Sequence, residues 1–138
     1  MLQIKLHPSQ YQIATDNHRF RVVCAGRRFG KSVLARAVIL DWATKKQGLY
    51  WIVSPTRIMA KDIHWKQGYN LEIPPSWIEK KNEVDLEITL KNGSRIALKS
   101  AENPDRLRGV GLSGLVVDEV AFLRDWKQIW DEALRPAL

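Results

Sequence analysis

Cysteine is almost missing from this chain of 138 residues. With Cys24 alone, no internal disulfide and no thiolate zinc cluster can form, and that usage fits a reducing compartment. Long apolar runs are missing as well: the longest stretch without Asp, Glu, Lys or Arg is ten residues, against the roughly 20 that a membrane-spanning helix requires. Residues 1–9 mix apolar with polar side chains and hold no apolar block ahead of a small-residue cleavage site. No membrane partner and no export signal are expected, and the chain is assigned to the cytoplasm. The three histidines, His7, His18 and His64, have no metal-ligand spacing and read as ordinary residues. No serine, histidine and acid set suggests acyl transfer. Repeats, low-complexity tracts and linkers are absent too, so the chain reads as one continuous domain.

Charge is abundant but lopsided. Residues 1–60 contain ten basic and two acidic side chains, a balance of +8, whereas residues 61–138 contain twelve basic and thirteen acidic, a balance of −1. The whole net charge of +7 therefore sits in the front half. A polyanion is one natural partner for such a half, and a solvated basic face kept for solubility is the other reading.

Hydrophobic periodicity supplies the element order. Residues 20–25 are a short apolar run, residues 26–30 a turn, and Val33, Leu34, Ala37, Val38 and Leu40 follow at helical spacing. The order is strand, loop, helix. Residues 49–54 read as a second buried strand closed by Pro55, and residues 57–67 as a further helix. Val84, Leu86, Ile88 and Leu90 alternate with polar residues, and Asn92-Gly93 predicts a two-residue type I′ turn into a strand over residues 95–99. Leu115, Val116 and Val117 form a third buried run. Trp126, Ile129, Trp130, Ala133 and Leu134 mark the inward face of a last helix that stops near Pro136. Strands alternating with helices imply an α/β domain with a mostly parallel sheet. Cys24, following Val22 and Val23 in the first expected strand, reads as a small core residue. Trp42, Trp65, Trp126 and Trp130 fall on expected helices and read as packing residues, and Lys45-Lys46 and Lys80-Lys81 as helix-end or solvated charges.

Residues 25–32, Ala25-Gly26-Arg27-Arg28-Phe29-Gly30-Lys31-Ser32, match the phosphate-loop (Walker A) pattern with its first glycine displaced by one position to Gly26. A triphosphate needs many donors at once, and a turn entering a helix N-terminus aims free backbone N–H groups and the positive dipole end at it. Gly26, Arg28, Phe29 and Gly30 would line that cradle. Lys31 would place a point charge on the β- and γ-phosphates, and the Ser32 hydroxyl would ligate magnesium. Arg27 and Arg28 beside Lys31 repel one another unless an anion sits among them, and Arg27 is a candidate arginine finger acting within its own chain.

Residues 115–119, Leu115-Val116-Val117-Asp118-Glu119, are an apolar strand ending in two acids, the form of a Walker B element. Asp118 would hold magnesium, and Glu119 would polarise the attacking water as general base. Capping of the following helix is the alternative use of two such acids.

With both elements placed, the chain resembles the N-terminal ATPase region of phage terminase large subunits, the motors that pump double-stranded DNA into capsids. His7-Pro8-Ser9-Gln10 is similar to the glutamine element ahead of the loop in that family, and Ser54-Pro55-Thr56-Arg57 follows the second strand as it does there. The run from Ala101-Glu102-Asn103-Pro104 through Asp105-Arg106-Leu107-Arg108-Gly109 resembles the segment ahead of its Walker B. The resemblance implies a P-loop NTPase fold of the additional-strand catalytic-glutamate type with an added β-hairpin, and ATP with Mg2+ as ligands. It implies that Gln10 reads adenine, that Arg27 is the cis arginine and that Arg108 reaches a neighbouring subunit's nucleotide. It further implies double-stranded DNA, a portal protein and a small terminase subunit as partners, a homo-oligomeric ring on the procapsid, and the bacterial host cytoplasm as the place of action.

Two departures qualify the resemblance. The chain ends at Leu138, ahead of the strand and coupling motif that follow Walker B in the family, and the nuclease domain is absent. A partial domain over residues 1–138, arising as a fragment, a split gene product or a truncated reading frame, is therefore expected, with poor ATPase activity in isolation. A superfamily 2 helicase-like ATPase and a non-hydrolysing nucleotide- or DNA-binding fragment are the alternatives.

Overall fold

The centre of the molecule is set by Leu49–Ser54 (β1), a run without a single charge in which residues 50–54 are all buried. A strand covered on both faces has no reason to alternate, which is why it reads as continuously apolar. The computed structural model describes residues 5–26 and 28–138. In it β1 runs parallel to Arg95–Ser100 (β4) on one side and to Gly114–Val117 (β5) on the other. Ile52 is in register with Leu98 and with Val116. Ile78–Asn82 (β2) and Glu87–Leu90 (β3) continue the sheet antiparallel beyond β4, giving the order β2-β3-β4-β1-β5.

Successive side chains leave a strand on opposite faces, so β1 serves two cores. Tyr50 and Ile52 pack with Ile39, Leu40, Trp65, Tyr69, Ile88 and Ile96, beneath Lys31–Lys45 (α2) and a helical stretch over residues 57–72. Trp51 and Val53 pack with Leu107, Ile129, Ala133 and Leu134, beneath the C-terminal helical stretch over residues 126–137. Helices on both faces of a mostly parallel sheet make the α/β layering expected from the alternation of elements.

The 57–72 stretch is built from Arg57–Met59, Ala60–Tyr69 and Asn70–Glu72. Its middle part has wide, π-type turns and a backbone break at Gly68 (φ −112°, ψ −107°). A built Cβ at Gly68 would lie 2.7 Å from Arg36 Cδ and 2.8 Å from Arg36 Nε, so only glycine lets the Arg36 side chain cross there.

Three expectations are corrected. Residues 20–25 are not a strand: Val22 is 96% exposed, Phe20 and Cys24 are exposed, and the segment has no ladder partner. An apolar run becomes a strand only where a neighbouring backbone accepts its hydrogen bonds, and among the described residues β5 is paired on one side only, with β1. Phe20 instead meets Trp130 edge-on at 5.8 Å, and Arg21 Nη1 donates to Ile13 O at 2.9 Å while its guanidinium lies over Trp42. Cys24 is therefore a surface residue and not part of the core.

The hairpin also differs. β3 begins only at Glu87, Val84 is exposed, and Gly93 alone takes a positive φ (90°) in the connection, where its N–H donates to Leu90 O. This is a three-residue loop with glycine in the left-handed position, the next commonest hairpin design after the type I′ turn. Asn92 is used otherwise: its Nδ2 donates to Ala43 O and its Oδ1 accepts from Ser94 N, pinning the loop to the end of α2. Finally, β2 was not foreseen, because Ile78-Glu79-Lys80-Lys81-Asn82 carries charge on three successive residues and lies mostly exposed at the sheet edge, where apolar alternation is not required.

Candidate active site

The loop ahead of α2 is held from below by a short helix. Pro8–Ala14 (α1) opens with a reciprocal cap: Gln10 N donates to His7 Nδ1, and His7 N donates to Gln10 Oε1 at 2.9 Å. Gln10 is 4% exposed, and its Nε2 donates to Phe29 O at 3.2 Å and Gly30 O at 2.9 Å. His7 Nε2 donates to the same Phe29 carbonyl at 2.8 Å, and the two rings stand edge to face at 5.0 Å. Gln10, expected as an adenine contact, is thus placed against the loop backbone with both ends of its amide in use.

Gly30 caps α2 at φ 86°, a conformation that L side chains adopt only at a cost, and a Cβ there would collide with the Gln10 amide. The next residue, Lys31, folds its ammonium back to Ala25 O at 2.7 Å, closing the loop across its mouth. Arg28 takes φ 67° and is exposed, and Gly26 is exposed with its carbonyl accepting from Phe29 N at 3.4 Å. Arg27, the expected cis arginine, lies outside the described residues.

The second half of the site hangs on the sheet. β5 follows β1 in parallel register, and Asp118 N donates to Val53 O at 2.9 Å, so the carboxylate is set immediately beyond the paired strand end. Its Oδ2 accepts from Ser32 Oγ at 2.8 Å, a contact between residues 86 positions apart that joins the two expected motifs. Glu119 adopts φ 56°, ψ 45°, an uncommon region for a residue with a side chain, and its N–H donates to Asp118 Oδ1 at 3.0 Å. Burial pushes the Asp118 carboxyl up, but hydrogen bonds from His64 and Ser32, with that of Glu119 N–H, outweigh it and hold the group below its ordinary value of 3.8.

His64 does not fit the ordinary role its spacing suggested. It is 1% exposed and its Nε2 lies 3.0 Å from Asp118 Oδ2. Behind it, Arg36 Nη1 donates to Ile63 O at 3.0 Å and approaches His64 Nδ1 at 3.3 Å, and the Arg36 guanidinium is paired two-pronged with Glu72. Tyr69 Oη donates to Arg36 O at 2.7 Å, and burial raises its hydroxyl well above the ordinary range. One signal in the sequence pointed to this network: Arg36 stands among apolar residues in the fully buried part of α2, and a buried guanidinium requires a partner.

Arg108 sits elsewhere. Its Nη2 donates to Glu132 Oε2 at 2.8 Å, which lowers the Glu132 carboxyl, and its Nε lies 3.6 Å from Asp105. It lines a cavity of about 520 Å³ together with Thr56, Glu102, Phe122 and Arg124, and among the described residues of the loop, Gly26 and residues 28–32, none borders that space.

The donor set fits a hard cation. A hydroxyl and a carboxylate oxygen converge at Ser32 and Asp118, and no group of three or more His, Cys, Asp or Glu side chains forms a cage among the described residues. Magnesium is commonly held in this way, by one or two protein oxygens with phosphate and water completing the shell.

Comparison with known proteins gives relatives in sequence and in fold. No protein-family model matches the chain. It is 30% identical to the terminase large subunit of Escherichia phage T5 and 27% identical to those of Thermus phage G20c and Thermus virus P23-45, in each case across 100% of this chain. It spans about a third of the length of these relatives, 32–33%. The ATPase domain of the Thermus phage P74-26 large terminase superposes with a TM-score of 0.77 at 26% identity, over 97% of this chain and 60% of that one. The helicase alternative is not favoured. Over its whole length in sequence and over 97% of it in fold, the chain is similar to phage terminase large subunits and to the ATPase domain of one of them.

Proposed function

We propose that the chain is the ATP-binding and ATP-hydrolysing part of a motor that drives double-stranded DNA into a viral procapsid. The observation that carries this reading is the meeting of Ser32 and Asp118 at 2.8 Å. Two motifs far apart in sequence come together with a hydroxyl, a carboxylate and a helix N-terminus facing one small volume, the arrangement that binding a metal-chelated triphosphate requires.

In this reading Lys31 exchanges its contact with Ala25 O for the β- and γ-phosphates, and the backbone N–H groups of Gly26, Arg28, Phe29 and Gly30 complete the cradle. Ser32 and Asp118 hold Mg2+, which when bound neutralises developing charge on the phosphate oxygens. Glu119 orients the attacking water and takes its proton. Arg27 stabilises the transition-state charge from the same chain. Gln10 contacts adenine with whichever part of its amide the loop releases. Arg108 serves a neighbouring subunit in a homo-oligomeric ring, leaving its pair with Glu132 to do so. Double-stranded DNA, a portal protein and a small terminase subunit are the partners, in the host cytoplasm.

Calorimetric titration of Mg-ATP into the protein tests the site. Binding is expected, and Lys31→Ala should weaken it by about two orders of magnitude, the upper end of what a hydrogen bond to a charged group contributes, about 3 kcal/mol. Equal heats for both proteins would remove the phosphate loop from the mechanism.

A further inference from the structure

We infer that His64 is the positioning residue of the metal-binding carboxylate. The inference rests on the ATP and magnesium reading of the site and deepens it.

The neighbours of the His64 ring decide which of its nitrogens carries the proton. Arginine offers donors only and has no acceptor. Arg36 Nη1, 3.3 Å from His64 Nδ1, therefore faces a lone pair, and the proton of the ring is left on Nε2. That N–H points at Asp118 Oδ2, 3.0 Å away. The histidine is thereby set as a one-way donor to the carboxylate.

The guanidinium that sets it is itself immobilised. Glu72 grips it with both oxygens, Ile63 O accepts from it, and its side chain crosses the helix at Gly68, where a Cβ would block it. A chain of Glu72, Arg36, His64 and Asp118 thus runs from the 57–72 helix to the end of β5, buried along most of its length.

The consequence is a count of lone pairs. An ionised carboxylate accepts about four hydrogen bonds. Oδ2 accepts from Ser32 and from His64, and Oδ1 accepts from Glu119 N–H. Three acceptor positions are filled by the protein, and their directions fix the plane of the carboxylate. An acid at the end of a strand with neither His64 nor Ser32 would rotate; this one is held. Partners of this kind orient metal ligands in other proteins, and their loss commonly weakens metal binding by about 10–100-fold.

The test compares wild type, His64→Leu and His64→Gln, the last keeping an N–H donor at the same reach. Binding of a fluorescent ATP analogue is followed in EDTA and across a magnesium titration, with circular dichroism to establish folding. The magnesium concentration at half-saturation should rise about 10–100-fold in His64→Leu and return to within a few-fold of wild type in His64→Gln, while binding in EDTA stays the same in all three. A folded His64→Leu protein with wild-type magnesium dependence overturns the inference, as does a folded His64→Gln protein impaired as severely as His64→Leu. Should wild type bind no nucleotide with or without magnesium, the ATP reading itself fails and His64 loses its role with it.

A second measurement needs no variant. With only three histidines in the chain, long-range 1H–15N spectra of the wild-type protein resolve each ring. His64 should be protonated at Nε2 with a slowly exchanging proton; a proton on Nδ1 overturns the inference even if His64→Leu does not fold.

Discussion

Two apolar runs of similar composition meet opposite fates in this molecule. Leu115, Val116 and Val117 become the core of β5, half-buried and paired with β1, whereas Val22, Val23 and Cys24 form no strand and are exposed. Nothing in either run predicts the difference. β5 has a partner whose backbone groups are already aligned by β4 on the far side, so each added ladder bond costs little further chain entropy. Residues 20–25 have no such neighbour among the described residues, and their side chains make scattered contacts instead, Phe20 with Trp130 and Arg21 with Trp42 and Ile13 O. The lesson extends to the site. Its acidic half is over-determined by the sheet and by the buried Arg36, His64 and Glu72 network, while its basic half is a loop that depends on α1 and on Lys31 folding back onto Ala25.

Substitutions can sharpen that contrast or break it. The largest effect is expected at the centre of the sheet: Ile52→Ala, fully buried between β4 and β5, should cost about 2–5 kcal/mol in denaturant unfolding. Next comes Gly68→Ala, which forces the Arg36 stem aside and should cost about 1–3 kcal/mol as an overpacked contact, with a matching loss of protection at the His64 ring proton. A smaller effect belongs to acid. Asp118 is depressed below 3.8 in the folded chain, so its contribution to stability is complete above the ordinary carboxylate range and is lost as pH falls through and below 3.8. Unfolding followed from pH 7 to 3 should therefore show an acid-side loss that Asp118→Asn reduces. Smallest is Val22→Ser, which should change stability by less than about 0.5 kcal/mol because the side chain is already 96% exposed. Cys24, nearby, should react stoichiometrically with a thiol reagent in the native protein. Protection of Cys24, or a cost of several kcal/mol at Val22, would show that residues 20–25 are a paired strand after all.

Much of the architecture was legible in the residue pattern. β1 announced itself by an uninterrupted apolar run, α2 by its helical spacing, and β5 by the run that ends in Asp118-Glu119. The pattern also set Lys31, Ser32 and Asp118 in one expected site, and of these Ser32 and Asp118 meet at 2.8 Å. It was silent on β2, whose charged edge residues carry no alternation, and it gave the wrong turn at the hairpin connection, where Asn92-Gly93 suits two turn types and the end of α2 chose between them. His64 was passed over because a histidine declares its partner only in space: 54 residues separate it from Asp118.

By itself, then, the amino-acid order determined which segments are apolar, where the turns fall, and which donors and acids are present, since these depend on neighbours within a few residues. Folding in three dimensions decided which apolar runs found a ladder and which charged groups left water in pairs. Ladder bonds and buried ion pairs are made between residues tens of positions apart, and their free energy exists only once the sheet has brought those residues together.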